Sequence, residues 1–125
     1  MLDHIILSVS DVPRSIAFYE KALAPVGITH YVDYDGTNGH PDLKGFGNNQ
    51  MAFFWLKSGH PAPDAIHFAF VAESPAVVDA FYKAAMEAGA LDNISPRARV
   101  EYYPGYYAAD VLDPDGYSIE VVHKS

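Results

Sequence analysis

Three side chains of this sequence could bind a divalent metal ion. His4 and His67 each open a segment rich in apolar residues, and Glu120 interrupts an apolar segment near the end of the chain. A carboxylate is costly to bury alone, and binding a cation offsets that cost. Two histidines and one carboxylate with open coordination positions are typical of non-heme iron, manganese, nickel and zinc sites. The alternative is a polar cleft without metal.

An internal repeat relates the two histidines to each other. The segment AFYEKAL at 17–23 recurs as AFYKAAM at 80–86, and the same offset along the chain takes His4 to His67. The residues that follow each histidine also correspond in kind, because HIILSV matches HFAFVA. Self-similarity at a fixed offset indicates two copies of one structural unit.

Each copy is predicted to contain one strand, one helix and three further strands. Asp11 and Ser74 are suitable helix caps, each with a proline in the first turn, and Gly27 is positioned to end the first helix. The strands are predicted at segments rich in β-branched and aromatic residues, namely 3–9, 28–34, 43–46, 50–56, 67–72, 94–102, 106–112 and 117–123. The two modules span about residues 1–57 and 66–125 of a single domain, with the Pro-containing segment 58–65 as their linker.

Strand alternation places the three candidate ligands on the same kind of face. Successive side chains of a strand point to opposite faces of the sheet. Bulky apolar residues flank His4, His67 and Glu120, and we expect those apolar residues to pack on a helix. The three ligating side chains therefore share the face that points away from the helices, and they would converge if the two sheets line a common cleft.

Composition excludes several classes of partner. The chain has 125 residues, 50% of them hydrophobic, as expected of one globular domain. Sixteen acidic and eight basic residues give a net charge of −8, which would repel nucleic acid. No segment approaches the roughly 20 apolar residues that a membrane span needs, and the first residues do not resemble a signal peptide. We expect a cytoplasmic protein without a membrane partner, and the absence of cysteine excludes thiolate metal ligands.

Four motifs resemble the vicinal oxygen chelate superfamily, which includes glyoxalase I, extradiol dioxygenases, fosfomycin-resistance transferases and bleomycin-resistance proteins. They are DHIILSVSDVPRSIAFYEKAL, IHFAFVAES, AFYKAAMEAGA and VLDPDGYSIEVV, and the resemblance covers nearly the whole chain. It implies an α+β fold of two βαβββ modules in tandem, with curved mixed sheets forming a cleft. It also implies that His4, His67 and Glu120 bind one divalent ion (Fe, Mn, Ni or Zn), with Glu120 at the catalytic centre of a homodimer that acts on a small-molecule substrate.

One departure from this pattern bears on the activity. Glyoxalase I has a fourth ligand, a carboxylate in the last strand of the first module, and here Phe53 takes that position. The sequence therefore predicts a glyoxalase-like metalloenzyme of lyase, isomerase or dioxygenase type, with the reaction unassigned. A metal-free protein that binds a small molecule, as bleomycin-resistance proteins do, is the alternative. A fosfomycin-type transferase is a weaker one.

Aromatic and basic residues near the predicted strands are candidates for binding the substrate. They are Phe53, Trp55, Arg99, Tyr103 and Tyr107. Each also has an ordinary structural interpretation: core packing for the first two, a solvated charge for the arginine, and strand or hairpin packing for the tyrosines. Asp113 and Asp115, in the DPDG motif, are predicted to form a turn that keeps the last strand in register, and not to be ligands.

Overall fold

A computed structural model describes residues 1–49 and 51–125 of the chain. The strands are β1 (Ile5–Val9), β2 (Thr29–Tyr34), β3 (Leu43–Asn48), β4 (Met51–Ser58), β5 (His67–Val71), β6 (Leu91–Ala98), β7 (Tyr106–Leu112) and β8 (Ser118–Lys124). The helices are α1 (Val12–Ala22) and α2 (Pro75–Glu87), and two short 3-10 turns lie at Ala24–Val26 and Pro63–Ala65.

The strands form two four-stranded mixed sheets that repeat one topology. The strand order is β1-β4-β3-β2 in the first sheet and β5-β8-β7-β6 in the second. In each sheet one pair, β1 with β4 or β5 with β8, is parallel, and the others are antiparallel. The predicted fold class, α+β with two βαβββ modules in tandem, is confirmed.

Strand β7 has its predicted bounds, six other strands differ from the prediction by one or two residues at one or both ends, and β6 differs most. The strand expected at 94–102 is β6, which begins at Leu91 and ends at Ala98. It ends early because residues 99–105 form turns, in which the Tyr102 amide donates to the Arg99 carbonyl and Gly105 has a φ of +90°. The strand expected to begin at Gln50 is described from Met51 onwards, and Gln50 itself lies outside the described residues.

The helices begin at the predicted caps. The Asp11 carboxylate accepts a hydrogen bond from the Arg14 amide at 3.1 Å, and the Ser74 hydroxyl accepts one from the Val77 amide at 3.3 Å. Such caps satisfy amide groups that the first turn leaves without a partner. Neither helix of the described ranges is long and apolar enough to cross a membrane.

A single hydrophobic core joins the two halves. It includes Leu7, Phe54 and Ile119 from the sheets and Tyr19 and Phe81 from the helices. The rings of Phe54, on the first sheet, and Phe68, on the second, have centroids 5.4 Å apart. The opposite sheet faces remain partly open, and they carry the histidines and the glutamate identified from the sequence.

Candidate functional site

The centre of the site is a contact between two neighbouring parallel strands. Glu120 lies in β8, where its side chain points away from α2 and is 6% exposed. His67 opens β5 and pairs in register with Ser118, two residues before the glutamate. His67 Nε2 is 2.8 Å from Glu120 Oε1. The alternation of side chains along β5 and β8 thus brings together two of the three predicted ligands.

Strand β7 adds two polar side chains on the other side of Glu120. Asp110 is directly opposite Glu120 in the antiparallel β7–β8 register. Tyr106 lies on the same face of β7, and its hydroxyl donates a hydrogen bond to Glu120 Oε2. Both oxygens of the glutamate are therefore occupied, one by the histidine and one by the tyrosine.

A buried arginine neutralises part of the negative charge. Arg99 is 1% exposed, and its two terminal nitrogens lie 3.1 and 3.5 Å from the Asp110 carboxylate oxygens. One of these nitrogens is also 3.9 Å from Glu120 Oε2. Burial raises the pKa of the Asp110 carboxyl group, and the hydrogen bonds from Arg99 oppose this shift.

Tyr106 is held in its neutral form. Burial, followed by the hydrogen bond to the Glu120 carboxylate, raises the pKa of the Tyr106 hydroxyl to about 12. Both effects disfavour a phenolate beside a carboxylate. Tyr106 therefore acts as a hydrogen-bond donor that orients Glu120 near neutral pH.

Ser118 can support either tautomer of His67. His67 Nδ1 lies 3.2 Å from the Ser118 carbonyl oxygen and 3.0 Å from the Ser118 hydroxyl. If Nδ1 carries the proton, it donates to serine, and the Nε2 lone pair is free for a cation beside Glu120. If Nε2 carries the proton, it donates to Glu120, and the serine hydroxyl donates to Nδ1. The site is compatible with a metal ion and with a direct histidine–glutamate hydrogen bond.

His67, Asp110 and Glu120 form a possible metal site. Each offers one ligand atom, and the three atoms lie within 4.8 Å of one another. Ligands about 2.1 Å from one ion are about 3 Å apart when adjacent in an octahedron, close to the 2.8 Å between His67 Nε2 and Glu120 Oε1. The donor set fits a divalent cation, whereas the nearby Arg99 guanidinium opposes one through its positive charge.

His4 lies elsewhere on the chain. Its Nδ1 is 2.6 Å from the Asp3 carboxylate, and its side chain is half exposed on the open face of the first sheet. It lines a cavity of about 360 Å³ together with Trp55 and His40. Within one chain, the structure therefore joins His67 with Glu120 and places His4 in a separate cavity.

The predicted substrate-binding residues are dispersed. Phe53 packs beside the core, with its ring centroid 6.4 Å from that of Phe70, and the Tyr107 hydroxyl donates to Asp79 of α2 at 2.7 Å. Tyr103 is 38% exposed. Trp55 lines the cavity that contains His4, as described above. Arg99 is buried in the polar cluster, where both terminal nitrogens face Asp110.

Sequence reasoning missed Asp110 and did not place Tyr106 beside Glu120. The signal for Asp110 was present, because AADVL places a carboxylate within an apolar strand, as SIEVV does for Glu120. The alternation of β7 then puts Tyr106 and Asp110 on one face.

Solved structures with the same fold come from several organisms. A glyoxalase/bleomycin resistance protein from Albidiferax ferrireducens T118 is 25% identical, with coverage of 100% of this chain and 99% of that one and a TM-score of 0.80. Trypanothione-dependent glyoxalase I from Leishmania major is 21% identical, with coverage of 98% and 86% and a TM-score of 0.69. TnmS3, an antibiotic-binding protein from Streptomyces sp. CB03234, is 21% identical, with coverage of 100% and 96% and a TM-score of 0.67.

Sequence comparison gives the family. No curated protein matches the chain. A family model matches residues 1–121, nearly the full length. With the tandem βαβββ fold already described, this match shows that the chain belongs to the Glyoxalase/Bleomycin resistance protein/Dioxygenase superfamily.

Proposed function

We propose that this protein is a glyoxalase-like metalloenzyme in which His67 and Glu120 bind a divalent ion. The observation that carries the proposal is the 2.8 Å contact between His67 Nε2 and Glu120 Oε1, with Asp110 close enough to supply a third ligand. When bound, the ion would polarise an oxygen of a small substrate as a Lewis acid. The reaction would be of lyase, isomerase or dioxygenase type.

The residues around the ion would have separate roles. Tyr106 would orient Glu120 through its hydroxyl, and the Ser118 carbonyl oxygen would accept a hydrogen bond from the Nδ1–H of His67. Partners of this kind fix the orientation of metal ligands in proteins. Two buried carboxylates and one buried guanidinium leave one negative charge, which would attract a cation to the open side of His67.

His4 would reach the ion in a homodimer. It lies on the open face of the first sheet, while His67 and Glu120 lie on the open face of the second. A two-fold axis that places these unlike faces against each other would produce two identical sites, each with His4 from the other copy. Exposed apolar side chains on both faces, Ile6 at 45% and Val71 at 81% exposure, support such a contact. Light scattering on a sizing column would measure the mass of the particle.

Metal content tests the proposal directly. Protein expressed without a histidine tag should contain near-stoichiometric iron, manganese, nickel or zinc by mass spectrometry. Glu120→Gln should lower the affinity for that metal by at least about 100-fold. Residues that only hydrogen-bond to a metal ligand already change the affinity by up to about 100-fold when they are replaced, and the loss of a ligand itself should cost more. Glu101→Gln is the matched control, since Glu101 is an exposed carboxylate paired with Arg97. Absence of bound metal, with no uptake of any of the four added ions, would disprove the metalloenzyme.

Tyr106→Phe should weaken metal binding by about 10-fold, because Glu120 loses the donor that orients it. Competition with a chelating dye measures the affinity. Tyr103→Phe is the control, because the Tyr103 ring lies against the Tyr106 ring, with centroids 6.0 Å apart, while the hydroxyl that donates to Glu120 belongs to Tyr106. Equal affinities of the two variants would remove Tyr106 from the site.

A metal-free small-molecule-binding protein is the second candidate. The observation that favours it is Arg99, which already supplies a cation 3.1 Å from Asp110 and 3.9 Å from Glu120. A protonated His67 would then complete charge balance without metal. In that case the protein would bind its ligand equally well after exhaustive treatment with a chelator.

A further inference from the structure

The cavity beside His4 is lined by both apolar and polar side chains. Its volume is about 360 Å³. Ile6, Leu43 and Trp55 contribute apolar surface to its lining. Polar groups in the lining come from Asp3, His4, Tyr34 and His40. Ligand sites commonly combine such an apolar surface with a few polar groups that fix orientation.

The indole of Trp55 lies flat across the backbone of the neighbouring strand. Gly45 of β3 is the register partner of Trp55 in β4. A Cβ atom on Gly45 would lie only 2.7 Å from Cζ3 of the indole and 2.9 Å from Cε3 and Cη2. Only glycine therefore permits this ring position. One face of the indole covers Gly45, which leaves the other face for the cavity that Trp55 lines.

We propose that this cavity binds a neutral planar aromatic molecule with hydroxyl or carbonyl oxygens, stacked on Trp55. The imidazoles of His4 and His40 can each donate to or accept from such oxygens. Anionic ligands are disfavoured because the chain has a net charge of −8 and Asp3 lies beside His4. If the protein is the proposed metalloenzyme, this aromatic ligand would be its substrate. Binding of the ligand in the cavity does not itself depend on that function.

The test compares two neutral diols that differ only in the ring. Catechol can stack on an indole, whereas cis-cyclohexane-1,2-diol offers vicinal hydroxyls without an aromatic face. A stacked aromatic pair is worth about 2- to 10-fold in affinity beyond the area it buries. We therefore expect catechol to bind at least about 2-fold more tightly than the saturated diol to the wild-type protein.

Trp55 is itself the probe, because the chain contains one tryptophan. Titration of chelator-treated protein with catechol should quench its fluorescence and shift the single indole N–H signal in a ¹⁵N correlation spectrum. Working without metal separates the two proposals. If the protein binds catechol but takes up no metal, the aromatic binding site is supported and the metalloenzyme proposal is rejected.

Variants locate the binding. In equilibrium dialysis with labelled ligands, Trp55→Leu should bind catechol no better than the saturated diol, while Trp55→Phe should keep the preference. Gly45→Ala should weaken catechol binding because its methyl group displaces the indole. Leu91→Ala, which removes an exposed apolar side chain from the other sheet, is the control for surface hydrophobicity.

Three results would overturn the proposal. They are equal affinity of the wild-type protein for the two diols, no measurable binding of catechol, and an unchanged catechol preference in Trp55→Leu. Circular dichroism checks that each variant is folded. If Trp55→Leu does not fold, the comparison of Trp55→Phe with the wild-type protein still tests the proposal.

Discussion

Replacing Arg99 with methionine is expected to reduce the free energy of unfolding by about 3–5 kcal/mol. This is the usual cost of removing one partner of a buried ion pair while the other charge stays buried. The substitution leaves Asp110 and Glu120, which are both buried, without their cation. Urea denaturation followed by circular dichroism measures the loss. Arg97→Met is the matched control, because Arg97 is an exposed neighbour whose pair with Glu101 is worth at most about 1 kcal/mol.

The destabilisation by Arg99→Met should depend on pH. Burial already raises the pKa of the Asp110 carboxyl group, and loss of Arg99 removes the hydrogen bonds that oppose this shift. An acid with a raised pKa in the folded state disfavours folding as pH rises past its unfolded value, about 3.9 for aspartate. The difference from wild type should therefore shrink towards pH 4. A loss within about 1 kcal/mol of the control, or one independent of pH, would contradict this account of the cluster.

Asp113→Ala is expected to reduce the free energy of unfolding by about 3 kcal/mol, since it leaves several buried donors unpaired. The Asp113 carboxylate is buried, accepts from the Tyr19 hydroxyl, and accepts from the amides of Asp115 and Tyr117 at 2.9 Å each. Chemical denaturation measures the loss. Asp64→Ala removes an exposed carboxylate and should change stability by less than about 0.5 kcal/mol. Similar losses in both variants would show that the hydrogen bonds of Asp113 carry no special weight.

The same motif shows what the sequence could predict of the fold. The turn at DPDG follows from its residue types, and its backbone hydrogen bond, from the Gly116 amide to the Asp113 carbonyl, is local. Its contacts with the first half of the chain, Asp113 with Tyr19 and Asp115 with Ser10, join residues far apart in sequence. No local pattern encodes such contacts. The motif was therefore recognised as a turn but not as a link between the halves.

The candidate site was predictable in a similar, partial way. Alternation along strands is a local property, so Glu120 and His67 could be assigned to the open face from the sequence. Whether His4 joins them depends on how sheets or chains pack against each other. Arg99 follows the end of β6, in the turn segment, where no periodicity predicts burial. The alternative interpretation of Arg99 as a solvated charge was therefore wrong, because the residue is buried in an ion pair with Asp110 of β7, and its role in substrate binding stays a prediction.

The link between Asp113 and Tyr19 has a consequence for synthesis on the ribosome. All strands of the first sheet are translated before the DPDG motif emerges, yet the Tyr19 hydroxyl finds its acceptor only in that motif. Until then, the nascent first half holds a tyrosine whose burial would leave a polar group without a partner. The first unit thus depends on the second for the hydrogen-bond acceptor of one of its buried polar groups.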